Sequence, residues 1–140
     1  MSINEMPLVE IIMPLGSDPT SASKQQAIRR GAARAGFSAR FPNYPIPARD
    51  FELSGLVERL REAIVVLADL TGERPSCYYE IGVAEAIGVP ILLVAQIGTH
   101  VHQVGNRSRI RFYADLTELE VMSGELLRSI WSGADPRLAP

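Results

Sequence analysis

The sequence predicts an α/β domain built on a doubly wound, five-stranded parallel sheet of order 2-1-3-4-5. Three observations predict it. Short apolar runs alternate along the chain with segments of helical period. The clearest run, Ile64-Val65-Val66-Leu67-Ala68, is continuous and β-branched, as expected for the centre of a parallel sheet. Gly- and Pro-rich punctuation separates the segments.

Each element follows in order. Residues 8–13 are short and mostly apolar, and Pro14 ends them, so they read as a buried strand. The run 16–21 is a loop, with Ser21 or Ser23 as candidate caps for a helix over 24–35. Ala27, Ile28, Ala32 and Ala35 recur at helical spacing, and Gly36 stops the helix. Residues 37–41 alternate as a second strand. Three prolines within residues 42–47 forbid regular structure there. A second helix over 51–62 carries the stripe Leu53, Leu56, Val57 and Leu60. The central strand over 64–68 leads into a loop over 69–75. A helix over 76–87 follows, with Ser76 as its expected cap and Gly88 and Pro90 at its end. A strand over 91–95, a polar loop over 97–107, a short strand over 110–113 and a helix over 116–131 complete the set. Residues 1–133 read as a single domain and 134–140 as a frayed tail. The simplest arrangement is the flavodoxin-like one. It places ligands at the carboxyl ends of the strands, beside the loops at 16–23, 69–76 and 96–107.

Composition narrows the function classes. The 140 residues are 46% apolar and 21% charged, with a formal charge of −2. No basic block suggests a nucleic-acid footprint. Cys77 is the single cysteine, so no disulfide forms within the chain. Residues 1–7 have no basic n-region, and no apolar run approaches a membrane span, so a cytoplasmic protein is expected.

Several residues can carry chemistry. Asp69, at the end of the central strand, either meets a ligand hydroxyl or caps the following loop. Glu80, early in its helix and beside the ligand crevice, either complements the helix dipole or reacts. Its neighbours Tyr78, Tyr79, Ile81, Gly82 and Val83 are apolar or aromatic, and the dipole is expected to keep it ionised, as a nucleophile requires. Gly16 and Ser17, before Thr20, Ser21 and Ser23, form a weak phosphate signal that capping explains as well. His100 and His102 lack a third ligand motif, so no metal is expected. Arg107, Arg109 and Arg111 alternate, as on one side of a strand and its approach. Cys77 reads as packing.

The block Ala68-Asp69-Leu70-Thr71-Gly72 through Tyr79-Glu80-Ile81-Gly82-Val83-Ala84 resembles that of the nucleoside 2-deoxyribosyltransferase-like superfamily. That group includes nucleotide N-glycosidases and TIR-like nucleotide-binding domains. Ile12-Met13-Pro14-Leu15 and Gly88-Val89-Pro90-Ile91-Leu92-Leu93 extend the likeness. The resemblance implies cleavage of a nucleoside or nucleoside 5′-monophosphate N-glycosidic bond, to water or to a second base. Glu80 would be the nucleophile and Asp69 an acid near the sugar or base. It places Gly16 and Ser17 at a 5′-phosphate and implies a homo-oligomer, with no cofactor. The chain departs from the pattern at Met13-Pro14-Leu15, where an aromatic is usual. Tyr44, Tyr78 and Tyr79 are the candidates to replace it. It departs again at Arg74, which stands where an acid is usual and suits an anionic ligand. The alternative is a non-catalytic nucleotide-binding sensor module.

Overall fold

The computed structural model describes residues 6–14, 19–42, 52–102 and 107–130. The candidate residues Gly16, Ser17 and Tyr44, and the tail, lie outside them. Five strands, β1 (Leu8–Ile12), β2 (Ser38–Arg40), β3 (Val65–Asp69), β4 (Ile91–Gln96) and β5 (Arg111–Tyr113), form one sheet of order β2-β1-β3-β4-β5. All four pairings are parallel. Four helices, α1 (Ser21–Arg34), α2 (Leu53–Glu62), α3 (Pro75–Ile87) and α4 (Leu116–Ile130), complete the fold. The doubly wound sheet and its order are as the sequence predicts.

Strand alternation divides the core into two layers. Val9, Ile11, Val65, Leu67, Val94 and Tyr113 pack with Ile28, Ala32, Leu119 and Leu127 of α1 and α4. Ile12, Val66, Ala68, Leu93 and Ala95 pack with Leu60, Cys77, Ile81 and Ala84 of α2 and α3. Period-2 strands thus feed both faces, and every residue of β3 is buried. The tightest helix contact lies between α1 and α4, where Gly124 sits 3.1 Å from the Gly31 carbonyl oxygen, measured to the position of an added Cβ.

The element ends correct two expectations. Thr20, not Ser21 or Ser23, precedes α1, and no side chain caps it. Arg74, not Ser76, precedes α3, because Pro75 takes the first helical position, where its missing N–H costs nothing. Gly88 ends α3 with φ +82°, a left-handed conformation that favours glycine. Residues 107–109 form a 3₁₀ turn, so Arg107 and Arg109 do not alternate with Arg111 along a strand. All three are exposed. Among the described residues no helix is long and apolar enough to cross a membrane.

Candidate functional site

Glu80 is the sixth residue of α3, on the flank of the stripe Cys77, Ile81 and Ala84 that packs on the sheet. This half-buried position decides its chemistry. Burial pushes the carboxyl up to about 7, Arg59 of α2 pulls it down, and Glu10 of β1 pushes it up. The expectation that the dipole keeps Glu80 ionised is therefore corrected. The dipole fades beyond the first turn, whereas desolvation acts in full on a buried carboxylate. No hydrogen bond or ion pair holds Glu80 among the described residues.

Beside it lies a cluster that the sequence reading missed. Glu10 is 4% exposed within β1, on the side of Ile12. Its Oε1 accepts Arg40 Nε at 2.6 Å and its Oε2 meets Arg59 Nη2 at 2.8 Å. Arg40 Nη1 donates to Glu62 at 2.7 Å and Nη2 to the Arg59 carbonyl at 2.7 Å. Arg59 Nη2 also donates to the Phe41 carbonyl at 3.1 Å. Arg59 Nε is buried without a partner. The signal was present in Leu8-Val9-Glu10-Ile11-Ile12, because a strand buried on both faces does not hold an acid without a partner.

Asp69 belongs to a different network. Its Oδ1 accepts the Thr71 amide at 3.0 Å and its Oδ2 the Tyr113 hydroxyl at 2.8 Å. Thr71 Oγ1 lies 3.2 Å from the Tyr113 hydroxyl and accepts the Gln96 amide at 2.8 Å. Oδ1 thus caps the loop after β3 and Oδ2 reaches β5, while Thr71 Oγ1 ties the loop to β4, which is the loop-capping alternative. Asp69 has the strand parity of Val65 and Leu67, facing the α1–α4 layer, whereas α3 covers the opposite face. The structure does not bring Asp69 and Glu80 into one hydrogen-bonded pair.

The remaining candidates are dispersed. Tyr79 is exposed and Arg74 half-buried at the start of α3. Tyr78 donates its hydroxyl to Glu73 at 2.5 Å. Glu73 also accepts the His102 amide at 2.9 Å, and its Oε2 lies 2.8 Å from His102 Nδ1. The His102 ring lies tilted against that of His100, with centroids 4.4 Å apart. His102 thus serves a loop clasp, and no group of three or more metal-ligating side chains forms among the described residues. Burial pushes the Cys77 thiol up to about 11, as its packing role implies. A cavity of about 300 Å³ lies on the other face, between Ser23 and Arg30 of α1 and Thr117 and Glu120 of α4. That layer lies on the face of the sheet opposite α3.

No family model matches the chain, and no curated protein matches it. A solved structure titled "A unique GCN5-related glucosamine N-acetyltransferase region exist in the fungal multi-domain GH3 beta-N-acetylglucosaminidase" is similar in fold. It aligns with TM-score 0.56 and 8% identity, over 89% of this chain. The chain spans 14% of that protein's length. The likeness is one of fold, to part of a protein whose named regions are enzymes.

These findings overturn the expected family and activity. The similar structure named above is of an acetyltransferase-bearing protein, not a nucleoside 2-deoxyribosyltransferase or nucleotide N-glycosidase. The geometry adds its own reason. Burial raises the Glu80 carboxyl and so favours its neutral form, whereas a nucleophile acts as the carboxylate. Asp69, the expected second acid, is occupied by its own loop.

Proposed function

We propose that this chain is an enzyme in which Glu80 acts as a general acid–base, and that its reaction is acetyl transfer to an amino group of a small molecule. The observation that carries the reading is the Glu80 carboxyl, unpaired and brought by burial to about 7. A general base is most effective when its pKa lies near the working pH. An amine acceptor arrives mostly as its ammonium. Glu80 would remove one proton, the free amine would attack the acetyl carbonyl of a thioester, the carbon–sulfur bond would break, and the second proton that the nitrogen sheds on becoming an amide would go to the leaving thiolate. The fold likeness to the acetyltransferase-bearing protein supports trying this reaction first.

The test is a panel of amino sugars and simple amines with acetyl-coenzyme A, followed by thiol release and mass of the product. Acetylated amine from the wild type and loss of about 10²–10⁴-fold in Glu80→Gln are expected. Equal turnover in a folded Glu80→Gln protein would exclude Glu80 as the base.

A further inference from the structure

The helices α1 and α4 touch at one crossing and leave a cavity beside it. At the crossing an added Cβ on Gly31 would lie 3.1 Å from the Gly124 nitrogen, so the backbones themselves are in contact. The cavity, about 300 Å³, lies on the N-terminal side: every residue that lines it precedes Gly31 in α1 or Gly124 in α4. That volume is at the lower end for a small-molecule site. Because α1 follows β1 and α4 follows β5, this side is also the carboxyl end of the strands, where open α/β sheets receive ligands. Helical spacing builds the walls. Ser23, Ala27 and Arg30 recur along α1, and Leu116 and Glu120 along α4.

The walls carry one cation and one anion that do not bond to each other. Glu120 Oε2 meets Arg34 Nη2 at 2.5 Å, outside the cavity lining. Glu120 Oε1 and Arg30 Nη1 stand 3.8 Å apart, beyond hydrogen-bond reach. Among the described residues no hydrogen bond holds the Arg30 guanidinium. So loose a contact, on an arginine side chain that is 66% exposed, contributes little and opens easily. The Glu120 side chain is only 16% exposed, so few waters compete for a cation that reaches it. A ligand with a single charge would satisfy one wall and be repelled by the other. A carboxylate on Arg30 would stand against Glu120, and an ammonium on Glu120 would stand against Arg30. A molecule that carries both charges on neighbouring atoms answers both. The buried Ala27 and the exposed Leu116 add apolar surface for a short side chain. We propose that the α1–α4 cavity binds a small zwitterion of the α-amino-acid type, its carboxylate on Arg30, its ammonium on Glu120 and an apolar side chain against Leu116 and Ala27. The site lies on the face of the sheet opposite α3, so it is separate from Glu80 and from the reaction proposed for it.

The experiment titrates the intact chain with L-leucine and follows the backbone amides by NMR. Saturable shifts are expected at residues 23–30 and 116–120. Isocaproate, which is leucine without its ammonium, and isoamylamine, which is leucine without its carboxylate, should each bind about tenfold more weakly or worse. Arg30→Gln should weaken leucine by about tenfold or more and leave isoamylamine no weaker. Glu120→Gln should weaken leucine likewise and leave isocaproate no weaker. Amide spectra establish that each protein is folded. Should Glu120→Gln fail to fold through loss of the Arg34 pair, Arg30→Gln, at an exposed position, decides the matter alone. Absence of saturable shifts at these residues overturns the proposal, as do leucine shifts centred on α3. Isocaproate binding as tightly as leucine would reduce the cavity to an anion site and overturns it too. So does unchanged leucine affinity in Arg30→Gln, which would exclude the assigned carboxylate partner.

Discussion

The Tyr113 hydroxyl donates to Asp69 Oδ2 at 2.8 Å and so joins the edge strand β5 to the central strand β3, skipping β4. Both residues are 1% exposed. Because that proton goes to Asp69, the Thr71 hydroxyl donates to the Tyr113 oxygen and accepts from Gln96. Tyr113→Phe removes one donor and leaves a buried carboxylate oxygen short of a partner. A loss of roughly 1–3 kcal/mol is expected, read as a lower urea midpoint with unchanged slope. Stability equal to the wild type would show that water reaches Asp69.

Glu80 makes stability fall as pH rises. Its folded pKa, about 7, lies above the ordinary carboxylate value of 4.5. Between these two values the folded state holds more protons than the unfolded chain, so stability declines across that window. The contribution is fully present below about 4.5 and lost as pH passes 7. Glu80→Gln cannot ionise. Relative to the wild type it should gain stability from pH 5 to pH 8, by at most roughly 3 kcal/mol and less for a half-buried group. Urea unfolding at pH 5, 6.5 and 8 reads this directly. A wild-type-minus-variant difference that does not change with pH would remove the assignment.

These two carboxylates show what the sequence reveals and what it hides. The fold was legible because β-branched runs, helical stripes and glycine or proline stops are local signals, and each marks an element in the structure. Glu80 was legible as a position, since its helix and its apolar neighbours can be read directly. Its protonation was not, because that depends on burial and on Arg59 and Glu10, which are 21 and 70 residues distant in the chain. Asp69 could be read only as a choice between ligand and cap, and Tyr113, 44 residues away, tilts it toward the cap. The resemblance over residues 68–84 misled because it matched residue types without testing these long-range partners.

The α1–α4 crossing depends on Gly31. A Cβ there would lie 2.3 Å from the Glu120 carbonyl oxygen and 3.1 Å from the Gly124 nitrogen, both backbone atoms that cannot swing aside. Gly31→Ala should destabilise the protein by about 1–3 kcal/mol through overpacking. Gly55 is the control: it is an exposed position of α2 with nothing within 4 Å of an added Cβ. Gly55→Ala should be neutral or stabilise by up to about 1 kcal/mol. Calorimetric melting of both variants checks the contrast, and equal shifts would deny the close crossing.

The last prediction concerns the clasp between the loop after β3 and the loop after β4. Glu73 accepts from the Tyr78 hydroxyl and from the His102 amide, and its Oε2 contacts the His102 ring. Hydrogen bonding by Tyr78 first, and then by His102, holds the Glu73 carboxyl below its ordinary value against the opposing effect of desolvation. Here the sign is opposite to that of Glu80. The clasp's contribution is present above about 4.5 and is lost as pH falls through the lower folded value. Glu73→Gln keeps one acceptor but loses the charge, so the His102 amide should exchange faster while amides of β3 keep their protection. Hydrogen exchange near neutral pH, in the wild type and the variant, measures this. Unchanged exchange at His102 would mean that backbone bonds around residues 96–102, not Glu73, hold the two loops together.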